Sequence, residues 1–215
     1  MKTESLKTQA YHILKKKITT CQYLPGCQLN EEQLQKDLAM SRTPIRDAVS
    51  RLEQERLVMI RPKKGITVAP LTTKQLNMVY EVRELLETYA LRTYGNLLPE
   101  QELLTHYNFF LNAQHSAEEQ QYQEDDAFHL LLMSVVPNEY IQQSYRQIVD
   151  QNTRFRVITG HRTAQRLEET NQEHLQILTA CLKKDWEQAA QAMQVHLKIA
   201  KAAAFDCMMA QNKIE

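Results

Sequence analysis

The sequence predicts a mainly α-helical protein in two parts. A helix-turn-helix with a small β-hairpin is expected over residues 1–70, and an all-α antiparallel helical bundle over residues 71–215. Three observations predict this architecture. The chain has only four glycines and six prolines in 215 residues, apolar residues recur at helical spacing along most of it, and the last strand pattern ends at Ala69. The length suits two domains of ordinary size.

The two predicted parts carry opposite net charge. Through Pro70 there are 13 Lys and Arg against 7 Asp and Glu, whereas the remainder has 13 against 19, so the formal charges are +6 and −6. This asymmetry indicates a polyanionic partner for the first part alone. The four cysteines form no C-x-x-C pair, and neither a leader pattern nor a long apolar run occurs. We therefore expect free thiols, no membrane association and a cytoplasmic protein.

The N-terminal part is predicted to contain three helices and a hairpin. The expected bounds are Leu6–Thr20 for the first helix, Leu24–Leu29 for a turn, Glu31–Leu38 for the second helix, Ser41–Glu53 for the third, and Val58–Arg61 with Ile66–Ala69 for the hairpin strands. The hairpin tip holds Pro62-Lys-Lys-Gly65. Two lysines at an exposed tip can reach a phosphate backbone.

The third helix has features of a helix that reads DNA. Thr43 is expected as its N-cap, with Pro44 at the first helical position. Arg42, Thr43 and Arg46 lie at its beginning and off its apolar stripe, where a helix in the major groove places its base-contacting side chains. A solvated amphipathic helix is the alternative for any one of these residues. This alternative does not account well for the block Ser-Arg-Thr-Pro-Ile-Arg as a whole.

This segment, Ser41-Arg-Thr-Pro-Ile-Arg-Asp-Ala48, resembles the recognition helix of the GntR family of bacterial transcription regulators. The resemblance implies a winged helix-turn-helix that binds a double-stranded DNA operator. It assigns DNA contacts to Arg42, Thr43, Arg46, Arg51, Lys63, Lys64 and Gly65.

Two residues depart from the family pattern. Arg56 stands where the family usually has glycine, so the recognition helix must end in a less comfortable left-handed residue or in a different turn. Glu32 stands where several members have a phosphate-contacting arginine. The second departure suggests that Arg42, Arg46 and Arg51 contribute more of the DNA contact in this chain.

Six helices are predicted in the second part. They are Thr73–Gly95, Pro99–His115, Glu119–Val135, Asn138–Gly160, Arg162–Lys183 and Asp185–Gln211. An antiparallel bundle follows from the short connections between them. This part resembles the ligand-sensing FCD domain of the FadR subgroup of GntR regulators, and six helices rather than seven resemble its smaller branch.

Four residues of the bundle are candidate metal ligands. Asp125 and His129 lie one turn apart on one helix face. His174 and His196 each lie about 16 Å from the turn between the last two helices, so an antiparallel hairpin sets them at the same level. One Asp and three His suit a divalent transition metal such as Zn, Ni, Mn or Fe(II) better than Ca.

A lone histidine is more often a surface or satisfied core residue than a ligand, but the set also matches the FCD pattern. That pattern is D-x-x-F-H, then E-H, then H-L, and the chain has Asp125-Asp-Ala-Phe-His129, Glu173-His174 and His196-Leu197 in the same order. Asp126 remains a less favoured alternative to Asp125.

Two polar residues interrupt apolar stripes of the bundle helices and are candidates for effector binding. Arg83 interrupts the stripe of the first bundle helix, and Asn152 that of the fourth, with Arg156 on its flank. A buried charge needs a partner, so Arg83 either pairs internally with Glu87 or binds an anionic ligand. The family resemblance implies a small carboxylate or sugar-acid effector, held by the metal and arginine.

Together these features lead us to expect a homodimeric, ligand-responsive transcription regulator that is not an enzyme. Repression is the working expectation, and no residue distinguishes it from activation. Two alternatives stay open. One is a metal-dependent hydrolase or lyase fused to a DNA-binding head, with Asp126 or Glu173 as the general base. The other is a regulator whose metal is purely structural.

Overall fold

The computed structural model describes most of the chain. The described residues are 5–63, 65–159 and 164–211. Lys64, predicted at the tip of the hairpin, lies outside them, as do the predicted helix ends at Gly160 and Arg162.

The described residues form nine α-helices and a three-stranded sheet. The N-terminal elements are α1 (Leu6–Thr19), β1 (Gln28–Leu29), α2 (Glu31–Leu38), α3 (Arg42–Gln54), β2 (Val58–Arg61) and β3 (Gly65–Val68). The later elements are α4 (Thr73–Tyr94), α5 (Glu100–Leu111), α6 (Glu118–Ser134), α7 (Glu139–Ile158), α8 (Ala164–Leu182) and α9 (Trp186–Gln211). The mainly α fold class is therefore confirmed, as is the small hairpin near residue 60. No described helix is long and apolar enough to cross a membrane.

These elements form two compact units, and α7 is divided between them. The first unit is drawn from Met1–Thr73 and Asp150–Ile158, and the second from Lys74–Val149 and Thr159–Glu215. The last turns of α7 thus pack within the N-terminal unit. The helical periodicity of this segment does not indicate that placement.

Buried apolar side chains of α1, α2, α3 and the hairpin fill the core of the first unit. Leu14, Ile18, Ile45, Leu52 and Leu57 have no exposed surface. Burying a large aliphatic side chain contributes about 1.5–3 kcal/mol, so these five residues contribute much of the stability of this core. The stripe predicted for α3 is the face that enters this core.

The beginning of α3 differs from the sequence prediction. Ser41, not Thr43, is the N-cap, so Pro44 occupies the third helical position. Proline is tolerated there because the N–H groups of the first turn have no partner within the helix. The end of α3 agrees with the prediction, since Arg56 adopts a left-handed conformation with φ of 59°.

The sheet contains one strand that was wrongly predicted as a turn. β1 pairs antiparallel with β3, with Gln28 opposite Thr67 and Leu29 opposite Ile66. β3 also pairs with β2, so it is the central strand of the order β1-β3-β2. A two-residue strand is too short to show an alternating pattern, and only its partner reveals it.

The six helices predicted for the second unit are present. The largest difference is at α5, which ends at Leu111 before a short 3-10 turn over Ala113–His115. α8 and α9 form the antiparallel hairpin that the position of His174 and His196 required. This hairpin and α6 supply the residues of the candidate metal centre.

Candidate metal centre and DNA-contacting surface

The structure brings the four predicted metal ligands together inside the helical unit. One ligand atom from each of Asp125, His129, His174 and His196 lies within 4.8 Å of the others, and all four residues are buried. The His129 and His196 rings are stacked with centroids 5.3 Å apart, and His174 lies 4.6 Å from His196. His174 Nε2 is 3.3 Å from Asp125 Oδ1. Three imidazoles and one carboxylate that converge in the protein interior are a donor set suited to a transition metal.

A buried carboxylate fixes the orientation of His129. Its Nδ1 lies 2.6 Å from Glu87 Oε2, and because Glu87 is ionised, Nδ1 carries the proton. The opposite nitrogen, Nε2, is buried and has no hydrogen-bond partner among the described residues. A metal ion would supply the missing partner, and a carboxylate behind a ligating histidine is the usual arrangement at such sites.

Glu87 is held by two further donors. Arg83 Nε donates to Oε1 over 2.7 Å, and the Tyr145 hydroxyl donates to the same oxygen over 2.8 Å. Desolvation opposes ionisation of this carboxyl, but the Arg83 guanidinium and His129 lower its pKa to about 2. Burial, together with the charge of Glu87, raises the pKa of the Tyr145 hydroxyl well above its ordinary value.

His196 has a matching arrangement on the other side of the cluster. Its Nδ1 lies 2.7 Å from Glu173 Oε2, and Arg166 Nη1 donates to Glu173 Oε1 over 2.6 Å. Burial lowers the pKa of His196, although Glu173 opposes the shift. The neutral imidazole favoured by burial is the form that binds a metal.

The supporting residues were only partly visible in the sequence. Glu87 was noted one turn from Arg83, and the structure shows that internal pair, but its hydrogen bond to His129 spans 42 residues. Glu173 was noted only beside His174 and as a candidate base. Tyr145 lies among the apolar residues of α7, and no sequence signal marks its hydroxyl.

The other predicted effector residues lie on the part of α7 that belongs to the first unit. Asn152 is buried, and Arg156 is partly exposed. Neighbouring residues secure this part of α7. Lys15 Nζ lies 2.6 Å from Asp150 Oδ2, Gln151 donates to the Arg56 carbonyl over 3.3 Å, and the fully buried Arg154 donates to the Ala69 carbonyl.

Four of the predicted DNA-contacting residues, Arg42, Arg46, Lys63 and Gly65, line an open groove in the first unit. This groove has a volume of about 1190 Å³ and is lined by the start of α2, by α3 and by the hairpin, including Glu31, Arg42, Arg46, Lys63 and Gly65. Lys63 and Gly65 have positive φ values of 64° and 82°, which turn the chain at the hairpin tip. Thr43 is exposed in the first turn of α3.

Arg51 lies further along α3 and has a different environment. Its guanidinium carbon lies 3.6 Å from the centre of the Tyr11 ring, and its Nε is 3.4 Å from Glu55 Oε1. The side chain is still 54% exposed. A planar guanidinium stacked on a ring can keep N–H groups directed toward solvent or phosphate.

Comparison with known proteins agrees with both units. Residues 6–68 match the description "Bacterial regulatory proteins, gntR family", and residues 78–198 match the FCD domain. An HTH-type transcriptional regulator from the TAR-I region of Agrobacterium vitis is 41% identical over 81 residues, which are 38% of this chain and 47% of that protein. The HTH-type transcriptional repressor RspR of Escherichia coli is 24% identical over 200 residues, 91% of this chain and 87% of RspR.

Solved structures have the same fold. Escherichia coli McbR/YncC superposes with a TM-score of 0.79 at 22% identity, covering 95% of this chain and 99% of that one. The metal-free FCD domain of the transcriptional regulator TM0439 has a TM-score of 0.60 at 22% identity, covering 66% of this chain and 99% of that one.

A winged helix-turn-helix joined to an all-helical domain of this kind defines a DNA-binding transcription regulator. The chain belongs to the GntR family of bacterial regulatory proteins and carries an FCD domain. The family consists of regulators rather than enzymes, so the hydrolase or lyase alternative is set aside.

Proposed function

We propose that this regulator is a homodimer that binds a divalent transition metal and a small carboxylate or sugar acid in its helical unit, and that this binding changes its affinity for operator DNA. The observation that carries the proposal is the buried cluster of Asp125, His129, His174 and His196. Burying four such polar groups is costly unless they share a strong partner, and a metal ion is such a partner.

The donor set favours Zn, Ni, Mn or Fe(II). Nitrogen ligands dominate, and the two carboxylates behind His129 and His196 hold their rings with Nε2 directed away from the supporting glutamates. A metal ion held by these four side chains would supply a Lewis-acidic contact for the carboxylate of an effector.

We assign an effector contact in the helical unit to Arg83, whereas Asn152 and Arg156, which belong to the first unit, stay predictions from the sequence. Arg83 donates to Glu87 through Nε, and a guanidinium has four more N–H groups on its two terminal nitrogens, which match the geometry of a carboxylate. Asn152 can donate or accept, as the hydroxyls of a sugar acid require. For the effector to act on DNA binding, it must bind the competent and incompetent states with different affinity. RspR is described as a repressor, and we propose repression here.

In the first unit we assign base contacts to Arg42, Thr43 and Arg46. Arg42 and Arg46 have side chains that are 64% and 62% exposed at the start of α3. Backbone or minor-groove contacts are assigned to Arg51, Lys63, Lys64 and Gly65. The exposed groove that joins α3 to the hairpin supports this division between base reading and positioning.

An exposed apolar surface on α4 and α9 supports the homodimer. Met78, Leu85 and Tyr89 share one face of α4 and are 41–63% exposed, and Val195 and Ile199 on α9 are 55% and 41% exposed. A groove of about 500 Å³ between these helices also has acidic and basic lining residues, including Glu81, Glu84, Lys198 and Lys201. A two-fold axis can pair the acidic residues of one copy with the basic residues of the other.

Sedimentation of a charged variant tests this dimer. Leu85→Glu should give monomers at concentrations where the wild type is dimeric. Leu97→Glu changes a leucine that is 56% exposed, against 63% for Leu85, and that lies outside the surface, so this variant should stay dimeric. A monomeric wild type, or a dimeric Leu85→Glu variant, would remove this surface from the interface.

The base-reading assignment is tested with Arg46→Ala. A duplex selected by the wild-type protein from random DNA serves as operator, and a scrambled duplex of equal length serves as the reference. Arg46→Ala should reduce the ratio of the two affinities by the equivalent of about 1–3 kcal/mol. Equal losses on both duplexes would make Arg46 a phosphate contact.

The metal assignment is tested by chelation and reloading. A metal bound to the folded state alone adds about 2.7 kcal/mol at a hundredfold excess over its dissociation constant, so metal should raise the melting temperature. His174→Ala and His196→Ala should each abolish most of this increase. His106→Ala should keep it, because His106 has its own Nδ1 contact of 2.6 Å to Glu124 and lies outside the cluster. His115→Ala is a second control.

The effector assignment requires a second measurement. Operator affinity should change with at least one member of a panel of small carboxylates and sugar acids, and only for metal-loaded protein. If melting responds to metal but operator affinity responds to no acid, the metal is structural. If chelation changes neither, the cluster is not a metal site.

A further inference from the structure

A single carboxylate bridges the two arginines to which we assign base contacts. Glu31 Oε2 accepts from Arg42 Nε over 2.8 Å, and Glu31 Oε1 accepts from Arg46 Nε over 3.1 Å. Arg42 and Arg46 are one turn apart on α3, so one carboxylate with two oxygens can hold both. This contact accounts for both oxygens of Glu31.

The backbone of α2 fixes Glu31 in this position. Glu31 is the first residue of α2, and Asn30 caps the helix by accepting from the backbone N–H groups of Glu32 and Gln33 over 2.8 and 3.2 Å. A carboxylate in the first turn is also stabilised by the helix dipole. The anchor for the two arginines is thus part of a capped helix rather than a mobile loop.

The contact restrains the arginines without covering them. Each uses Nε toward Glu31, and their side chains remain 64% and 62% exposed. The terminal nitrogens of a guanidinium can still donate in a bidentate manner to the O6 and N7 atoms of guanine. Each guanidinium can therefore contact Glu31 through one N–H group and a base through others.

A negative charge on this surface has an electrostatic cost for DNA binding. Desolvation opposes ionisation of Glu31, but hydrogen bonds from Arg42 and Arg46 lower its pKa below the ordinary value, so the residue is charged at neutral pH. An anion that lines the same groove as the two arginines repels phosphate whatever the DNA sequence. Any advantage that offsets this repulsion must therefore arise in the complex with the specific DNA sequence.

We propose that Glu31 is a specificity-determining positioning residue, which orders Arg42 and Arg46 for base reading while it weakens binding to all DNA. This inference rests on the proposed base contacts of the two arginines. An arginine side chain loses rotamer entropy when it is fixed, and prior ordering transfers part of that loss to the free protein. A nonspecific complex needs no fixed geometry, so it gains nothing from the ordering and retains the repulsion.

The test compares Glu31→Gln with Glu32→Gln on the selected and scrambled duplexes. Glu32 is the next residue of α2, is exposed and lines the same groove, but makes no hydrogen bond or ion pair with either arginine within the described part of the chain. Both substitutions remove one negative charge, so both should raise affinity for scrambled DNA by about two- to tenfold at low salt. Glu32→Gln should leave the affinity ratio unchanged, whereas Glu31→Gln should lower it by about fivefold or more.

Double variants separate this inference from the proposed base contacts. In an Arg42→Ala and Arg46→Ala background, Glu31→Gln should no longer change the ratio. If Arg46→Ala lowers the ratio while Glu31→Gln and Glu32→Gln behave alike, Glu31 acts only through its charge and this inference is wrong. If Arg46→Ala leaves the ratio unchanged, the base contacts themselves are wrong. Melting curves identify any variant that is misfolded.

Discussion

Two sets of arginine–glutamate contacts in this protein have the same chemistry and opposite exposure. In the helical unit, the side chains of Arg83 and Glu87 are 5% and 0% exposed, with Nε and Oε1 2.7 Å apart. In the DNA-binding unit, Arg42 and Arg46 are more than 60% exposed where they contact Glu31 over 2.8 and 3.1 Å. The donor–acceptor distances are similar, so distance does not separate the two sets.

The difference in burial gives the two sets different roles. Water cannot replace either partner of the Arg83–Glu87 pair, so the loss of one leaves an uncompensated charge in the interior. Water or phosphate can replace Glu31 at the exposed arginines at little cost. The buried pair is therefore suited to holding His129 in one orientation, and the exposed set to ordering arginine side chains that stay accessible to DNA.

Glu87→Gln should have the largest effect on stability. The substitution keeps the shape of the side chain but removes the charge opposite Arg83, and breaking a buried pair in this way costs about 3–5 kcal/mol. It should also weaken metal binding about 10–100-fold, because it alters the support behind His129. Urea unfolding and metal titration measure the two effects.

The matched control for this prediction is Glu81→Gln. Glu81 lies on the same helix but is exposed, and an ion pair that it makes across the proposed dimer surface contributes about 0–1 kcal/mol. Its substitution should therefore leave metal binding unchanged and alter stability by less than about 1 kcal/mol. If Glu87→Gln is as stable as the Glu81→Gln variant, burial does not distinguish the two arginine–glutamate sets.

Tyr145→Phe should have an intermediate effect. It removes one of the three hydrogen bonds to Glu87 but preserves the ring, and a hydrogen bond to a charged group is worth about 1.5–3 kcal/mol. Tyr140→Phe is the control, because Tyr140 is 84% exposed. Equal unfolding free energies for the two variants would show that Arg83 and His129 alone satisfy the carboxylate.

Glu31→Gln should have the smallest effect on stability. Exposed ion pairs contribute about 0–1 kcal/mol, so urea unfolding should detect a change of less than about 1 kcal/mol. The substitution should alter DNA discrimination far more than it alters folding. A loss of stability comparable to that of Glu87→Gln would contradict the contrast between the two sets.

Elements with a periodic pattern of apolar residues could be predicted from the sequence. Features that depend on a partner far away in the chain could not. Six bundle helices and both hairpin strands follow from periodicity, and the four candidate ligands converge because helix geometry fixes their levels. β1 was missed because two residues show no alternation. The contacts of Glu87 with His129 and Tyr145 were missed because their partners are 42 and 58 residues away. No local pattern records which distant side chain fills a buried position.

The divided α7 has a consequence for the modular use of this protein. Residues Asp150–Ile158 belong to the DNA-binding unit although they follow most of the helical unit in the chain. A chimera that grafts only residues 1–73 onto another sensor would lose two contacts. These are the hydrogen bond from the Arg154 guanidinium to the Ala69 carbonyl and the ion pair between Asp150 and Lys15. Exchange of DNA specificity between such regulators therefore requires two separate segments of sequence to be transferred together, even though only the first of them contains residues assigned to DNA contact.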